Sequence, residues 1–458
     1  MPKSPSLALR ARDAKESVVS LIFSNQINTK NVIEYYPVDM GIFSEKPFEL
    51  LIIQEEKIIG LKQNELKNTQ IRLRDFLIGN EYAQELLNNL SKNPKLSSFL
   101  RIVEGTGDLV NNGIQIVGKE QLLKEFNISE NKWATLSKPK REEFSKKFKD
   151  KYTGIVQSKK HPTQLLEPRF LSNFKILPAQ VFLGDISNFQ RIRSAAIFTE
   201  PKILINRTGK SLIAAYSEDK IFYNFDVYSI FLKKISRYYL ITAIINSNVI
   251  NYFVDLLYRK RADGSFPKIG SDTIKNIPIP NDLDEDLEKQ ISKIGRDLTN
   301  KKYQYDGEIE NKLNELIFDL YGLSYIEKQR ITDYFIDKNA VTNTKGELEK
   351  YKATIIDTIS LFFKDSIDIE FSDNRPNVKI IVAKVYFSKQ KKNTISVGKA
   401  AQYFLNEIFE KNRKKNFLAS QEKIYANDCV YIVKDNQNIS WTETKAYEDG
   451  QDILKHIR

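Results

Sequence analysis

The residues of this sequence best suited to binding a partner are basic side chains on predicted loops. Arg191 and Arg193 follow a short predicted strand, Arg207 and Lys210 follow the apolar run KILIN, and a further basic loop spans residues 259–268. Arg and Lys on such loops can reach the phosphates of a nucleic acid, and Arg can also pair bidentately with guanine. Each of these residues is therefore a candidate for a base contact, a phosphate contact or a surface ion pair.

A second basic stretch, residues 119–160, precedes these loops. Its lysines are interleaved with Trp133, Phe144, Phe148 and Tyr152, a mixture that suits phosphate contacts together with base stacking or groove insertion. The stretch also fits a solvated helix over about residues 139–152 that packs its aromatic residues and exposes its lysines, and the two interpretations are compatible. Across both stretches, the candidate DNA-binding residues are Lys146, Lys147, Lys149, Lys159, Lys160, Arg191, Arg193, Arg207, Lys210, Arg259, Lys260, Arg261 and Lys268.

The overall charge agrees with a polyanionic partner. The 458 residues include 71 Lys and Arg against 59 Asp and Glu, a formal net charge of +12, and nucleic acid is the commonest partner that such a balance favours. A Lys-rich, Ile-rich and Asn-rich chain from an AT-biased genome would carry the same charge, and that alternative stays open. The hydrophobic content of 41% indicates a globular chain rather than a disordered one.

Several classes of site are not predicted. Cys429 is the single cysteine, and His161 and His456 are the two histidines, so a disulfide framework, a structural zinc site and a histidine-based triad are not expected. The run EGTGD at residues 104–108 lacks the spacing of a phosphate-binding loop. No catalytic, cofactor-binding or metal-binding residue is assigned. Cysteine usage suits a reducing cytoplasm, and no apolar run approaches the roughly 20 residues of a membrane span, so we expect a cytoplasmic protein without a membrane partner.

Apolar patterns assign secondary structure to the stretch that carries the loops. KILIN, residues 202–206, is predicted to be a buried strand because all its central positions are apolar. Residues 212–216 and 220–223 are predicted to pair as a hairpin around an acidic turn. Residues 238–258 then have a helical pattern that breaks into two short helices at 246–248.

The segment after this stretch is predicted to be helical. In residues 281–345, apolar positions recur at spacings of three and four, which is typical of amphipathic helices. Ser324 and Glu327 have the spacing of a capping box, which predicts that a new helix begins there. We interpret these helices as scaffold or docking surface rather than as sites of chemistry.

Five motifs, taken in order, resemble a known family. The runs LGDISNFQRI, FTEPKILINRTG, ITAIINSNVINYF, FPKIGSDTIKNIPIP and NELIFDLYGLS are similar to the TaqI-like C-terminal specificity domain of adenine-specific DNA methyltransferases and of fused type IIG restriction-modification enzymes. The resemblance covers roughly residues 96–335. Residues 7–57 also look similar to the last helix and strands of the catalytic domain of such methyltransferases.

The resemblance implies a domain that reads base edges in the major groove of DNA, across from a catalytic domain. It points to the loops 185–193, 207–211 and 259–268 as candidates for DNA contact. The sequence departs from the family in its catalytic half, because it has no Pro-Pro dipeptide and no FxGxG-like loop in its first hundred residues. Amino methylation needs an (Asn/Asp)-Pro-Pro-(Tyr/Phe) loop at the flipped base and a glycine-rich loop for S-adenosylmethionine. We therefore expect no cofactor on this chain and S-adenosylmethionine on a partner chain.

The predicted fold class is α+β and multidomain, with a mixed α/β target-recognition domain, a following helical segment and a C-terminal α+β domain. A remnant that resembles the end of a methyltransferase sheet and a helical connector precede these domains. The predicted divisions are 1–60 for the remnant, 61–95 for the connector, 96–280 for DNA target recognition, 281–345 for the helical segment and 346–458 for the C-terminal domain.

Three functions are consistent with these features. The first is sequence-specific binding of double-stranded DNA, as the specificity subunit or split half of an adenine-specific DNA methyltransferase or restriction-modification system, with a catalytic partner subunit. The second is a restriction endonuclease subunit with its nuclease in residues 346–458, although Asp428 and Lys434 alone do not supply the paired carboxylates that a metal-dependent nuclease needs. The third is a DNA-sensing phage-defence component, or a non-catalytic remnant, without methylation.

Overall fold

The computed structural model divides into two compact units, and each is described here by itself. One unit comprises residues 87–322, and the other comprises residues 323–457 together with the described residues before 87. The described residues are 32–35, 59–62, 81–178, 180–185, 187, 189, 193–209, 211–258, 268–281, 284–301, 304–336, 345–360, 362–363, 367–372, 380–387, 421–425, 429–435 and 437–457. The boundary between the units falls inside the predicted helical segment, at Gly322–Leu323.

Strands, numbered in chain order, form two larger sheets in the first unit and one in the second. They are β1 Val32–Tyr35, β2 Ile59–Lys62, β3 Val110–Asn112, β4 Thr153–Gly154, β5 Thr163–Leu166, β6 Leu171–Ser172, β7 Lys175–Ile176, β8 Phe182–Leu183, β9 Lys202–Asn206, β10 Ala214–Ser217, β11 Phe222–Tyr223, β12 Val227–Ile230, β13 Asp368–Phe371, β14 Ile380–Tyr386, β15 Gln421–Tyr425 and β16 Cys429–Asp435. The sheet orders are β10-β9-β12-β3, β11-β5-β8-β4 and β13-β14-β16-β15, with β1-β2 and β6-β7 as isolated pairs.

Helices flank these sheets. They are α1 Glu81–Ser91, α2 Lys119–Glu125, α3 Glu130–Thr135, α4 Lys138–Tyr152, α5 Ala196–Thr199, α6 Tyr238–Asn246, α7 Asn248–Tyr258, α8 Ser271–Lys275, α9 Glu285–Thr299, α10 Gly307–Leu320, α11 Tyr325–Tyr334, α12 Lys345–Ser360 and α13 Glu443–Ile457. The mixture of helices with largely antiparallel sheets confirms the predicted α+β class.

The strand β9 lies at the centre of the first unit, and every one of its residues is buried. It pairs antiparallel with β10 on one side and with β12 on the other. Leu204 faces the core that this sheet shares with the second sheet. Ile203 lies opposite Tyr216, whose ring stacks on Tyr238 of α6 with 4.6 Å between centroids. Both faces of β9 are therefore covered, which explains why KILIN has no polar alternation and confirms the predicted buried strand.

Buried asparagines fix the helical pair α6–α7 to the edge strand β10. Asn246 Nδ2 donates to Ala214 O at 2.8 Å, and Asn246 Oδ1 accepts from Ala214 N at 2.9 Å. Asn251 Oδ1 accepts from Leu212 N at 2.7 Å, and Asn314 Oδ1 of α10 accepts from Asn248 N at 2.9 Å. These amides satisfy backbone groups that an edge strand and a helix start leave without partners. The predicted break of the helical pair is confirmed.

The predicted hairpin between 212–216 and 220–223 is wrong. The strand β10 pairs with β9, whereas β11 leaves that sheet and pairs parallel with β5. The buried ammonium of Lys202 accounts for the divergence, because its Nζ donates to Asp219 O at 2.8 Å, Phe198 O at 2.9 Å and Glu200 O at 3.0 Å. The acidic turn is therefore drawn to the start of β9 and does not close a two-stranded ribbon.

Two other local predictions concern helices. The helix predicted over 139–152 is confirmed as α4, and the predicted capping box is confirmed by the hydrogen bond from Ser324 N to Glu327 Oε2 at 2.9 Å. The helix α8 includes Ile274 and Lys275, so the chain leaves this region from a short helix. No single helix among the described residues is long and apolar enough to span a membrane, although the bent pair Ile235–Asn246 and Asn248–Leu257 meets that test when taken together.

The second unit packs α12 and α13 against one face of the sheet β13-β14-β16-β15, with Tyr351, Ile355, Ile381 and Ile453 in the core. Inside this core, Asp449 pairs with Lys434 and accepts from Lys423 at 2.9 Å. Burial would raise the pKa of Asp449, but the two ammonium groups hold it below its ordinary value. Lys434 is thus used in a buried ion pair, and Asp428 lies outside the described residues.

We predict that Gly113→Ala severely destabilises the first unit. A Cβ at residue 113 would lie 2.0 Å from Tyr223 O and 2.5 Å from Asn224 O, so the backbone of the β11–β12 turn would have to shift. Overpacking against rigid backbone should lower the free energy of unfolding by about 3 kcal/mol. Gly107→Ala is the matched control, because nothing lies within 4 Å of its added Cβ. Urea unfolding midpoints would measure both, and equal midpoints for the two variants would contradict the prediction.

We also predict a pH dependence that arises from Lys202. Burial lowers the pKa of Lys202 to about 8, against the opposing effect of the Asp219 and Glu200 carboxylates. The folded protein releases this proton above about pH 8, whereas the unfolded chain holds it up to the ordinary pKa of 10.5. The contribution of Lys202 to the unfolding free energy is therefore constant below about pH 8 and rises between about pH 8 and the ordinary pKa. The slope cannot exceed about 1.4 kcal/mol per pH unit.

The measurement is urea unfolding of wild type and Lys202→Met at pH 7.5 and pH 10. From pH 7.5 to pH 10, the unfolding free energy of wild type should increase relative to that of the variant, because the variant lacks the titrating group. Lys220→Met, at an exposed lysine beside the same turn, should keep a constant difference from wild type. Parallel pH curves for wild type and Lys202→Met would refute the assignment.

Candidate nucleic-acid interface

The loop that follows β9 is organised by one buried amide, that of Asn206. Its Nδ2 donates to Thr208 O at 3.1 Å and to Ser211 O at 2.9 Å, and its Oδ1 accepts from Ile213 N at 2.7 Å. Gly209 has a φ of +153°, and a Cβ there would lie 2.8 Å from the Asn206 amide nitrogen. The loop therefore closes tightly over Asn206, and Arg207 is presented at a fixed position beside it.

Arg207 is held in place by aromatic rings. Its guanidinium carbon lies 4.4 Å from the ring centroid of Phe225 and 5.9 Å from that of Tyr228, and Nη1 is 3.7 Å from the Asp226 carboxylate. Burial raises the pKa of Tyr228, while the nearby Arg207 charge opposes that shift. A stacked guanidinium loses little further freedom when it binds a planar acceptor, so this arrangement suits bidentate recognition.

Lys268 lies next to Arg207 in space. Ile269 N donates to Arg207 O at 2.8 Å, Thr208 and Lys268 form an antiparallel bridge, and Tyr228 OH donates to Ile269 O at 3.2 Å. We call the group Arg207, Thr208, Phe225, Asp226, Tyr228 and Lys268 the Arg207 corner. It brings together two candidates, Arg207 and Lys268, from segments that are far apart in the sequence.

A second basic surface lies on the other sheet. It consists of α4 and the loop 155–162, which we call the lysine loop. Lys147 is paired with Glu143 at 2.7 Å. In the part of the chain that the structure describes, Lys146, Lys149, Lys159 and Lys160 are exposed and make neither an ion pair nor a side-chain hydrogen bond. These four candidates are thus available to phosphates, whereas Lys147 already has a carboxylate partner.

The remaining candidates are placed less favourably or lie outside the described residues. Arg193 is half-buried, and its charge acts on the buried Tyr223 phenol. Arg191, Lys210, Arg259, Lys260 and Arg261 lie outside the described residues. Within the described ranges, no group of three or more His, Cys, Asp and Glu side chains is placed to hold a metal ion.

Sequence reasoning missed the residues that position the interface. Asn206, Phe225 and Tyr228 carry no charge, so a search for basic residues passes over them. The polar residue that ends the apolar strand KILIN was the available signal, because a buried amide must satisfy its own donors and acceptors. The contacts of Phe225 and Tyr228 with Arg207 follow from the pairing of β9 with β12, which local patterns do not specify.

Comparison with known proteins agrees with this geometry. Residues 163–279 match the family model of the TaqI-like C-terminal specificity domain. The resemblance indicated by the sequence motifs is confirmed over this segment, which contains the Arg207 corner and the helical pair α6–α7. The match supports DNA target recognition in a restriction-modification setting. Lys146, Lys147, Lys149, Lys159 and Lys160 precede the matched segment.

Two solved structures are similar to parts of the chain. One is that of the type IIL restriction-modification enzyme MmeI in complex with DNA, with 10% identity, a TM-score of 0.29, and coverage of 51% of this chain and 37% of that chain. The other is the type IIG restriction endonuclease BpuSI, with 13% identity, a TM-score of 0.26, and coverage of 62% and 38%. The aligned part of this chain spans less than two-fifths of either protein. The search of the curated proteins found no match.

Proposed function

We propose that this protein binds a short specific sequence in double-stranded DNA as the specificity subunit, or split half, of an adenine-specific DNA methyltransferase or restriction-modification system. The observation that carries the proposal is the Arg207 corner, a stacked and rigidly presented arginine inside the segment that matches a specificity domain. Arginine on a fixed loop is the side chain best suited to a bidentate contact with guanine in the major groove.

The two basic surfaces have different roles in this proposal. Lys149, Lys159 and Lys160 are exposed and unpaired among the described residues, so they contact phosphates and set affinity without reading sequence. Arg207 is half-buried against Phe225, so it contacts a base edge and sets specificity. Binding strength and target choice are therefore separable by mutation.

Catalysis is assigned to a partner chain. The sequence has no Pro-Pro dipeptide, and an adenine amino-methyltransferase needs such a loop to hold the flipped base. The partner would bind S-adenosylmethionine and transfer the methyl group, while this chain positions the partner and its bound cofactor on the target sequence. We place the complex in the cytoplasm, in keeping with the single cysteine of the chain.

We predict that Arg207→Ala and the triple variant Lys149→Ala/Lys159→Ala/Lys160→Ala have different effects on DNA binding. The Arg207 variant should lose about 1–3 kcal/mol of discrimination at one base pair of the target. The triple variant should weaken binding to all sequences alike and reduce the slope of log affinity against log salt by about 0.9 for each phosphate that it no longer neutralises. Selection from a random duplex library, followed by salt titration of the selected target, measures both effects.

The control for the triple variant removes three exposed lysines from the helices α9 and α10, as Lys289→Ala/Lys293→Ala/Lys312→Ala. It changes the net charge equally but should leave the salt slope close to that of wild type. If both triple variants weaken binding equally, the effect comes from net charge rather than from the proposed surface. If wild type selects no sequence at low salt, target recognition itself is refuted.

We further predict that methyl transfer requires the partner chain. Purified protein with DNA and radiolabelled S-adenosylmethionine should incorporate no label, whereas co-purified protein and an adenine methyltransferase subunit should label the selected target. The Arg207→Ala complex should methylate this target more slowly but still assemble, which a pull-down would verify. Label incorporation by the isolated chain would contradict the assignment of catalysis, and specific binding without any methylating partner would favour a DNA-sensing role.

A further inference from the structure

The lysine loop carries two adjacent aliphatic side chains that are almost fully exposed. Ile155 is 84% exposed and Val156 is 69% exposed, although the preceding helix α4 buries Phe148 and Tyr152 just before them. All residues from Ile155 to Lys160 are exposed. Single exposed aliphatic residues are common on protein surfaces, but two consecutive ones at the start of a charged loop suggest a contact outside the chain.

The loop has a defined conformation. Ser158 N donates to His161 O and His161 N donates to Ser158 O, both at 3.1 Å, so Lys159 and Lys160 occupy the two central positions of a tight turn. Gln157 Nε2 donates to Pro162 O at 2.9 Å and closes the base of this turn. The aliphatic pair thus directly precedes a small, hydrogen-bonded turn.

Two glycines fix the loop to the sheet. A Cβ on Gly154 would lie 2.8 Å from His161 Nδ1, and a Cβ on Gly184 would lie 2.9 Å from Lys160 O. Gly184 N also donates to Tyr152 O at 2.9 Å. The His161 ring therefore packs into space that a side chain at either position would occupy, and the loop rests directly on strands β4 and β8.

Lysines without a carboxylate partner among the described residues flank the aliphatic pair in the sequence. Lys149 precedes it at the end of α4, and Lys159 and Lys160 follow it in the turn; across the described residues these three make no ion pair, whereas Lys151 is paired with Glu125. Ile235 is a single exposed aliphatic residue, 71% exposed; its neighbour Lys234 is exposed, but Arg237 is paired with Glu288 and Lys233 donates to Ser98 O. The lysine loop combines two consecutive exposed aliphatic side chains with cations that have no carboxylate partner among the described residues.

We propose that Ile155 and Val156 form a wedge that packs between base pairs of duplex DNA, while Lys149, Lys159 and Lys160 contact the phosphates on either side. Apolar side chains inserted at a base step partly unstack it and bend the duplex, and β-branched side chains lose little rotamer freedom on insertion. The inference rests on the proposed DNA binding. It adds a distorting element that lies before the segment matched by the specificity-domain family.

The charge around the wedge favours DNA over a protein partner as its occupant. An apolar protein surface pressed onto Ile155 and Val156 would remove water from Lys149, Lys159 and Lys160 without supplying counter-charges. Two aliphatic side chains also offer far less than the area of about 1,000 Å² that a stable protein interface needs. A base step with its flanking phosphates matches both the size of the aliphatic pair and the positive charge of the neighbouring lysines.

The test uses the full chain and duplexes that carry the selected target. Donor and acceptor dyes at the ends report bending, and 2-aminopurine at successive steps reports unstacking. Wild type should shorten the end-to-end distance and raise 2-aminopurine fluorescence at one step. The variant Ile155→Ser/Val156→Ser should bind about tenfold more weakly. The loss is modest because the variant buries less aliphatic surface but also no longer has to unstack a base step. At saturation it should leave the duplex straight.

Two controls separate the wedge from the charge. Ile235→Ser removes an equally exposed aliphatic residue and should keep full bending. The triple variant Lys149→Ala/Lys159→Ala/Lys160→Ala should need more protein to reach saturation but give the same bend there. Specific binding with an undistorted duplex, or equal bending by the serine variant, would overturn the wedge and leave the proposed function standing. Absence of any DNA binding by wild type would overturn both.

Discussion

The presentation of Arg207 depends on the hydrogen bonds of one buried side-chain amide. A loop that leaves a fully buried strand carries backbone groups that are partly shielded from water, and such a group is costly to leave without a partner. Asn206 supplies two donors and an acceptor within a few ångströms, and it binds Thr208 O, Ser211 O and Ile213 N. An aspartate could accept but not donate at these positions, and an aliphatic residue could do neither. The loop conformation is thus determined from inside the protein, so that the outward face of Arg207 remains available to a ligand.

The same chemistry recurs along the path that supports this loop. Asn246 binds the outer edge of β10, Asn251 binds Leu212 N just before that strand, and Asn314 binds the first residue of α7. Because β10 pairs with β9, the helices α6, α7 and α10 are placed in register with the strand that ends at Asn206. Amides also protect β10 from pairing with a foreign strand, which is a recurrent hazard of exposed sheet edges. Side-chain hydrogen bonds from the helices therefore help to fix the position of the loop, and close apolar packing stabilises the same arrangement.

The parts of this architecture that sequence patterns predict are those decided locally. The buried character of KILIN, the break at Ser247 and the capping box at Ser324 each depend on residues within a few positions of one another. The failed hairpin is different, because an acidic turn looks the same whether the chain returns to its neighbour or crosses to another sheet. Its outcome was decided by Lys202 and by the parallel pairing of β11 with β5, both remote from the turn. The candidate site follows the same rule: the exposure of Lys146 and Lys149 on α4 was predictable, but the contact of Arg207 with Phe225 was not.

The contrast between the two basic surfaces has a physical consequence for target recognition. Lysine side chains that are free to move can follow a phosphate backbone as it deforms, so the energy they contribute changes little with base sequence. A guanidinium confined between rings and a carboxylate cannot follow the DNA, so its contact is strong in one geometry and weak in others. If the wedge of Ile155 and Val156 bends the duplex, the bend also changes how closely base edges approach Arg207. The stiffness of the bent base step then contributes to the choice of target sequence. Specificity would then arise from a rigid reader and a deforming element acting on the same duplex, each supported by its own sheet of the first unit.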